Sequence, residues 1–267
     1  MKFGFLITAR LKSTRLPQKL LLRLQGVEVI RHVIRKAKEV AGVDEVVLCT
    51  SNNPQDEPLV KIAAQEGIAY FIGDPSDVLL RLRDAAKFYK IDSFLSITAD
   101  NPLFCIDQAN QMANLLRMSP TVDYAYMSGL PIGSMLYGLR TKAVDVVCDI
   151  KQSSDTEIWG PFINRPDFFE VCELKNTSWD FPARLTLDEP SDYLFQKALL
   201  EKASRPLQSL DLGSIEDILR KNPELLTLNS QVKQAALDDG IFKQIENVFL
   251  QNERAIKEKI KQSKLIG

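Results

Sequence analysis

The chain has 267 residues, 45% of them hydrophobic, and its 34 basic and 35 acidic residues leave a formal net charge of −1. This length suits one large α/β domain or one domain with an appendage, and the near-neutral charge argues against a general nucleic-acid-binding protein. No apolar run approaches the roughly 20 residues of a membrane span, and the start, MKFGFLITAR, lacks a signal-peptide pattern. We therefore expect a cytoplasmic protein, which four widely spaced cysteines without a CxxC motif also favour.

Short apolar runs alternate with helical patterns through the first 120 residues. Four of the runs predict strands, and they are FGFLI, EVVLC, IAYFI and SFLSIT. Strands that alternate with helices form βαβ units, whose right-handed crossovers build a mainly parallel sheet flanked by helices. The single histidine, His32, lies in one of the helical patterns, which excludes a His-rich zinc site and argues against a Ser-His-Asp triad.

A basic segment, TARLKSTRLPQK, follows the first predicted strand and places Arg10, Lys12, Arg15 and Lys19 within ten residues. In an open parallel sheet, ligands bind beyond the carboxyl ends of the strands. The segment contains no glycine, so it is neither a P-loop nor a dinucleotide-binding fingerprint. Clustered cations repel one another without an anion, so we interpret the segment as a triphosphate clamp, with a solvated basic loop as the alternative.

Two similar segments, ITADNPL and LTLDEPS, each place an aspartate after an apolar run, Asp100 in the first and Asp188 in the second. The run before Asp188, ARLTL, predicts a late strand that returns to the main sheet, so the two carboxylates would meet at one sheet edge. Two carboxylates together with phosphate oxygens and water are suitable ligands for Mg²⁺. The alternative is that each aspartate caps a helix, with proline in the first turn. The nearby basic loop favours the metal site.

Two further segments carry candidate ligand-binding residues. GDPSDVLLRLRD follows the third predicted strand and offers Asp74 and Asp77 to a nucleotide; the alternative is that Ser76 caps a helix, with Asp77 in its first turn. SSDTEIWGPF contains Glu157 and Trp159, a carboxylate and an aromatic ring that either contact a substrate or, for the tryptophan, pack internally. Glycine and proline punctuate residues 121–182, which predicts an irregular, partly antiparallel insert.

The C-terminal part of the chain shows only helical patterns after about residue 205. Its last segment has an apolar stripe at three- and four-residue steps, formed by Ile241, Ile245, Val248, Phe249, Ile256 and Ile260. An isolated amphipathic helix is marginal in water, so the stripe must be buried. Asn252 interrupts it, which argues against a long coiled coil. We expect the stripe to pack on the protein's own domain or on a homodimer mate rather than on a membrane.

Several of these segments together resemble a known family. ARLKSTRLPQKLLLRLQG is similar to the opening loop of sugar-acid cytidylyltransferases, and the likeness continues through VDEVVLCTSNNPQDEPL, GDPSDVLLR, ITADNPL and LTLDEPSDY. The chain most resembles the spore-coat polysaccharide biosynthesis cytidylyltransferases, which are related to CMP-3-deoxy-manno-octulosonate synthetase and the acylneuraminate cytidylyltransferases. The resemblance implies a nucleotide-diphospho-sugar transferase fold in residues 1–205, a helical extension in residues 206–267, and a cytidylyltransferase that uses CTP, Mg²⁺ and a sugar or sugar-acid acceptor.

The resemblance also implies roles for individual residues. Arg10, Lys19 and Asp100 would be catalytic, and Asp100 and Asp188 would bind the metal. The nucleotide would contact the basic loop and the segment after the third strand, at Ala9, Arg10, Ser13, Arg15, Lys19, Gly73, Asp77 and Arg81. The resemblance does not assign the acceptor site, for which Glu157 and Trp159 stay the candidates that their residue types suggest.

The chain also departs from the family pattern, mainly in the half that would hold the acceptor. The positions that differ include Gln18 for a glycine, Asn101 for a cysteine, and Ile132, Met135 and Tyr137 for acidic residues. We expect a CTP-dependent enzyme for polysaccharide or surface-glycan synthesis. Two alternatives stay open at this point: a nucleotidyltransferase that uses another nucleotide and a sugar phosphate, and a nucleotide-binding homologue without catalytic activity.

Overall fold

A seven-stranded mixed sheet forms the centre of the protein, in a computed structural model that describes residues 1–176, 179–234 and 239–265. The strands in chain order are β1 (Phe3–Thr8), β2 (Arg23–Leu24), β3 (Val27–Glu28), β4 (Glu45–Ser51), β5 (Ala69–Gly73), β6 (Ser93–Thr98), β7 (Tyr124–Ser128), β8 (Tyr137–Arg140) and β9 (Val171–Lys175). The sheet order is β5-β4-β1-β6-β8-β7-β9, while β2 and β3 form a separate two-stranded ribbon. Within the large sheet, β8 pairs antiparallel with β6 and β7, and the other pairs are parallel. The predicted α/β fold with a mainly parallel sheet is confirmed.

Helices cover both faces of the sheet. They are α1 (Val29–Glu39), α2 (Glu57–Gln65), α3 (Val78–Phe88), α4 (Ile106–Met118), α5 (Thr141–Ile150), α6 (Gly160–Ile163), α7 (Pro190–Lys202), α8 (Leu212–Lys221), α9 (Asp239–Gln251) and α10 (Glu253–Leu265). Alternate residues of a strand point to opposite faces, so Phe5 and Ile7 of β1 join one core and Leu6 joins the other. The first core is completed by α1, α2, α4, α7 and α8, and the second by α3, α5, α6, α9 and α10. Burial on both faces explains why the central strands read as continuous apolar runs.

The four N-terminal strand predictions are confirmed, but the predicted strand ARLTL is wrong. Its backbone makes one β-bridge, between Arg184 and Ile132, and then changes partner, because the Leu187 amide donates to the Asp100 carbonyl at 2.9 Å. Gly133 allows the close approach that this path requires, since a Cβ there would lie 2.1 Å from the Thr186 nitrogen. Hydrogen bonds that go to different segments do not form a ladder, so these apolar residues form a loop segment beside the sheet.

The insert predicted at residues 121–182 is more regular than expected. Its antiparallel character is confirmed by β8, which lies between β6 and β7. However, β7, β8 and β9 extend the main sheet, and α5 and α6 pack against the second core. The glycines and prolines that suggested irregular structure belong to the connections between these elements.

The C-terminal stripe packs on the protein's own domain, as one of the two predicted alternatives stated. Ile245, Phe249 and Ile256 are buried in the second core, whereas Ile241 is 39% exposed and does not follow the prediction. The helix is interrupted at Asn252, whose backbone and side-chain amides both donate to the Val248 carbonyl, so the stripe is shared between α9 and α10. The residue that interrupts the apolar pattern is therefore also the residue at which the helix breaks.

Residues 207–225 of the C-terminal extension are part of the first core, through Leu207, Leu210, Ile215, Leu219 and Leu225. Lys36 of α1 is fully buried at this junction and donates to the carbonyls of Phe104, at 2.7 Å, and Leu210, at 3.4 Å. Burial lowers the pKa of Lys36 to about 8. The extension therefore contributes to the first core and helps to bury Lys36.

The structure also bears on the expectations for His32, for the cysteines and for a membrane-spanning helix. His32 is a buried residue of α1 whose ring nitrogens contact the Leu24 carbonyl and the Gln208 side chain, so it is structural as predicted. The cysteines are free thiols, and Cys49 and Cys105 are buried. Among the described residues, no helix combines the length and apolar character that crossing a bilayer requires.

Candidate active site

A cavity of about 550 Å³ lies beyond the carboxyl ends of β1 and β6, where a parallel sheet of this kind binds its ligands. The loop after β1, the start of α3, the end of β6 and residues 155–159 form its walls. Ten of the twelve predicted site residues line it: Ala9, Arg10, Ser13, Arg15, Lys19, Arg81, Asp100, Glu157, Trp159 and Asp188. The sequence prediction that these distant segments converge is consistent with this geometry.

The basic loop is held in place by contacts at its start and by an unusual backbone angle near its end. The Ala9 amide donates to the Cys49 carbonyl at 3.0 Å, and the Leu11 amide donates to Asp56 Oδ1 at 2.6 Å. Gln18 has a φ of +53°, in the left-handed region where glycine avoids the steric cost of a side chain. The glutamine keeps the turn into Lys19 at a cost of about 1 kcal/mol.

Lys19 joins the two predicted metal-binding aspartates. Its ammonium lies 2.5 Å from Asp100 Oδ2 and 2.7 Å from Asp188 Oδ1, and all three side chains are largely shielded from solvent. Burial opposes the charge of Lys19, but the two carboxylates outweigh burial and raise its pKa. Burial would likewise raise the pKa of Asp188, but Lys19, Arg184 and Arg15 together lower it. Both Lys19 and Asp188 are therefore charged at neutral pH.

The second oxygen of each aspartate is held by a neighbouring side chain. Asp100 Oδ1 accepts a hydrogen bond from the Thr98 hydroxyl at 2.6 Å, and Asn101 donates to that hydroxyl at 2.6 Å. Asp188 Oδ2 accepts from Arg184 at 2.6 Å. Neither aspartate caps a helix, since the N-cap residues of α4 and α7 are Cys105 and Glu189. The helix-cap alternative is therefore wrong for both, and each carboxylate turns one oxygen toward the cavity.

The three arginines of the cavity have different surroundings. Arg10 forms an ion pair with Glu157. Arg15 lies 3.1 Å from Glu189 and 3.6 Å from Asp188. Arg81 is 2% exposed and donates to the Asp74 carbonyl at 2.6 Å.

Within the part of the chain that the structure describes, Arg81 has no carboxylate at ion-pair distance and its Nε has no hydrogen-bond partner. Burial lowers the pKa of Arg81, and the Arg10 charge acts in the same direction. Buried donors in native proteins normally have acceptors, so this guanidinium is suited to an acceptor supplied by a ligand.

Two predicted nucleotide-contact residues, Gly73 and Asp77, do not line the cavity. A Cβ at Gly73 would lie 2.9 Å from Arg81 Cγ, so the glycine leaves room for the arginine side chain. Asp77 is buried at the N-cap of α3, where it accepts from the Leu80 amide and the Thr156 hydroxyl and pairs with Lys151. A helix cap in this segment, the alternative interpretation, is therefore present, but the cap is Asp77 and not Ser76 as predicted. The structure gives Gly73 and Asp77 a supporting position behind the cavity wall.

Comparison with known proteins decides the family. The sequence profile of the cytidylyltransferase family matches residues 5–202 of the chain. The chain belongs to the cytidylyltransferase family. An uncharacterized protein of Methanocaldococcus jannaschii is 29% identical over 239 residues, 88% of this chain and 97% of that protein. The spore coat polysaccharide biosynthesis protein SpsF of Bacillus subtilis is 26% identical over 234 residues, 84% of this chain and 96% of that protein.

Solved structures of other cytidylyltransferases share the fold. A cytidylyltransferase from Leptospira borgpetersenii superimposes with a TM-score of 0.79 at 24% identity and covers 89% of this chain and 100% of that chain. The CMP:2-keto-3-deoxy-manno-octonic acid synthetase, solved in complex with CTP, superimposes with a TM-score of 0.59 at 18% identity, over 75% of this chain and 99% of that chain. The predicted nucleotide-diphospho-sugar transferase-like fold and the assignment as a cytidylyltransferase-family enzyme are confirmed.

The donor set of this cytidylyltransferase fits a divalent cation that a nucleotide accompanies. Among the described residues, no group of three or more His, Cys, Asp or Glu side chains is placed to hold a metal alone. Asp100 and Asp188 instead offer one carboxylate oxygen each toward the same point, now occupied by the Lys19 ammonium. Mg²⁺ keeps several waters and uses one or two carboxylates plus substrate phosphates, and this pair meets that requirement.

An aromatic cluster behind Trp159 contains Tyr137, one of the positions at which the chain departs from the resembled families. Ile132, Met135 and Tyr137 are not among the residues that line the cavity. The Tyr137 ring lies 4.9 Å from the Trp159 ring in a T-shaped contact, and Tyr124 lies 6.3 Å from the same ring. Trp159 therefore both lines the cavity and packs on an aromatic cluster, so the two interpretations of this residue are compatible.

Sequence reasoning missed several residues of the candidate site. Asp155 lines the cavity and lies two residues before Glu157, so its charge was a signal in the same segment. Thr98 and Ser76 also line it, but their hydroxyls carry no pattern that would have identified them. Arg184 contacts Asp188 from behind the cavity, and no spacing rule for a loop segment predicts that contact.

Proposed function

We propose that this protein is a Mg²⁺-dependent cytidylyltransferase that transfers the cytidylyl group of CTP to a sugar or sugar acid and releases pyrophosphate. The observation that carries the proposal is the meeting of Lys19 with Asp100 and Asp188 in a cavity that Arg10 and Arg15 also line. Cations near a dicarboxylate are the groups that a metal-bound triphosphate requires. Family membership supports the transfer of a cytidylyl group rather than another phosphate reaction.

Two of the similar proteins support the choice of nucleotide and acceptor. The synthetase structure of the same fold contains CTP, which supports CTP as the nucleotide here. The Bacillus subtilis relative is named for polysaccharide biosynthesis, which supports a sugar as the acceptor. The free thiols, two of them buried, agree with a reducing compartment, so we also propose a cytoplasmic location.

In the proposed reaction, an acceptor oxygen attacks the α-phosphorus in line, the bond to the β-phosphate oxygen breaks, and pyrophosphate leaves. Lys19, Arg10 and Arg15 bind phosphate oxygens and stabilise the negative charge that moves onto the leaving group. Asp100 and Asp188 hold Mg²⁺, which when bound offsets phosphate charge and helps to orient the reacting group. Arg81 supplies the buried donor for an acceptor group on the nucleotide, and Glu157 and Trp159 face the sugar.

Pyrophosphate release tests the proposal directly. CTP, UTP, GTP and ATP would each be incubated with Mg²⁺ and a panel of sugar acids, neutral sugars and sugar phosphates, with the Asp100→Asn protein as the inactive control. We expect release with CTP and at least one sugar or sugar acid, and none from the control. CTP binding without release from any acceptor would contradict catalysis, and release with another nucleotide and a sugar phosphate would contradict the assigned substrates.

A further inference from the structure

A buried polar network lies directly behind Asp188, on the side away from the cavity. Its members are Arg184, Asp192 and Asn229, which are 7%, 0% and 4% exposed. Burying charged and amide groups is costly unless their hydrogen bonds are satisfied. The three side chains come from the segment before Asp188, from α7 and from the C-terminal extension, so their burial together is a specific feature of this fold.

Arg184 joins two carboxylates through different nitrogen atoms. Its Nη2 lies 2.6 Å from Asp188 Oδ2, and its Nε lies 3.1 Å from Asp192 Oδ1. Because Asp188 Oδ1 faces Lys19 while Oδ2 faces Arg184, the carboxylate cannot rotate without losing a charged partner. The contact therefore fixes the plane of the Asp188 carboxylate, with one oxygen held by Arg184 and the other presented to the cavity.

Asp192 holds the backbone of the same residue. Its Oδ2 accepts hydrogen bonds from the amide of Asp188 at 2.9 Å and from that of Glu189 at 3.0 Å, the second as the N3 residue of the capping box in which Glu189 is the N-cap of α7. The side chain of Asp188 is thus fixed through Arg184 and its main chain through Asp192. Asp192 satisfies the charge of Arg184 at the same time, so the two supports depend on each other.

The C-terminal extension closes the network. The Asn229 side-chain amide donates to Asp192 Oδ1 and to the Arg184 carbonyl, both at 2.9 Å. Arg184 Nη1 also contacts the Gln234 side chain. Residues beyond the part that matches the family profile, which ends at residue 202, therefore contribute to the geometry of a candidate metal ligand.

We propose that Arg184 is a positioning residue for metal binding, acting through Asp188, and that Asp192 and Asn229 hold Arg184 in place. This inference rests on the proposed function, in which Asp188 binds Mg²⁺. Partners of metal ligands orient the ligand and tune its basicity, and losing one typically lowers metal affinity or activity 10- to 100-fold. Lysine cannot replace this arginine fully, because one ammonium does not reproduce two directed contacts to separate carboxylates.

The positioning role of Arg184 can be tested independently of turnover by measuring Mn²⁺ binding. Electron paramagnetic resonance would follow the binding in the presence of CTP and without acceptor. Arg184→Gln should bind Mn²⁺ about 10- to 100-fold more weakly than the unaltered protein, and Arg184→Lys should lose less. Arg140→Gln is the matched control, because Arg140 is also buried, at 8% exposure, and donates to the carbonyls of Val122, Leu116 and Ser119 instead of the site. The control should lower the melting temperature and leave Mn²⁺ affinity unchanged.

A milder variant covers the case in which Arg184→Gln does not fold. Asn229→Ala removes two hydrogen bonds from the network but no charge, and it should weaken Mn²⁺ binding several-fold at unchanged CTP affinity. Unchanged Mn²⁺ affinity in Asn229→Ala or in folded Arg184→Gln, or an equal loss in Arg140→Gln, would overturn the positioning role while leaving the proposed function intact. Absence of Mn²⁺ binding by the unaltered protein with CTP would instead overturn the metal site of the proposed function, and this inference with it.

Discussion

Replacing Lys19 by alanine removes the ammonium that contacts both Asp100 and Asp188. In the proposed complex the same ammonium contacts the triphosphate, and one charge-assisted contact of this kind contributes about 1.5–3 kcal/mol. We therefore expect Lys19→Ala to weaken CTP binding by roughly 10- to 150-fold. CMP, whose single phosphate does not extend along the basic loop, should bind nearly as well as it does to the unaltered protein.

The presence of Mg²⁺ decides where in that range the effect falls. Without the metal, Lys19 must leave two carboxylates at 2.5 and 2.7 Å to reach a phosphate, so little net affinity is lost when it is removed. With Mg²⁺ between the carboxylates, the ammonium has no such contact to give up. We therefore expect the ratio of CTP affinities between the unaltered protein and Lys19→Ala to be larger with Mg²⁺ than without it.

Isothermal titration calorimetry with CTP and with CMP, each with and without Mg²⁺, gives all four affinities. Lys61→Ala is the control, because Lys61 is 68% exposed and, among the residues that the structure describes, forms an ion pair only with Glu57 on α2. The control should leave every affinity unchanged. Equal losses for CTP and CMP in Lys19→Ala would refute the placement of Lys19 on the triphosphate.

Three further predictions concern the metal ligands, the tail and the buried lysine. Asp100→Asn and Asp188→Asn should each abolish Mg²⁺-dependent pyrophosphate release at an unchanged circular dichroism spectrum, because losing a ligand removes several kcal/mol of transition-state stabilisation; wild-type turnover at saturating CTP would remove that residue from the site. Deleting residues 240–267 uncovers part of the second core, so the melting temperature should fall while CTP titration shows unchanged affinity, and loss of CTP binding would contradict this. The pKa of Lys36 is about 8 in the folded protein and 10.5 unfolded, so the unfolded chain binds more protons between these values and stability rises with pH there. Lys36→Met removes this rise, and its stability relative to the unaltered protein, measured by urea unfolding, should fall by up to about 3 kcal/mol between pH 7 and pH 10.5; a constant difference would show that folding does not lower the pKa of Lys36.

The central strands were predictable because burial on both faces leaves them continuously apolar, and the basic loop was predictable because it follows the first of them. ARLTL shows the limit of that reasoning. Its composition is that of a strand, but its hydrogen bonds go first to Ile132 and then to Asp100. The Leu187 amide nevertheless donates to the Asp100 carbonyl, which brings Asp188 next to Asp100. The two carboxylates therefore lie together as predicted, although the strand predicted before Asp188 is not formed.

The site was predictable where charge is concentrated and not where residues act through a distant partner. Lys19 and Asp100 stand out because their segments carry charge at a strand end. Gly73 and Asp77 lie in a segment that also lines the cavity, and only the three-dimensional structure distinguishes a residue that makes room for Arg81 or caps α3 from one that faces a ligand. Arg184 has its partners in α7 and the C-terminal extension, which no local pattern connects to it.

The placement of Trp159 also gives the protein an internal optical probe. The chain contains two tryptophans, and Trp159 lines the cavity while resting on Tyr137. The other, Trp179, packs against Phe181 and donates its indole N–H to the Phe181 carbonyl at 2.7 Å, and it does not line the cavity. In a Trp179→Phe protein the indole emission comes from the cavity wall alone, so the arrival of a ligand can be followed in real time without a label.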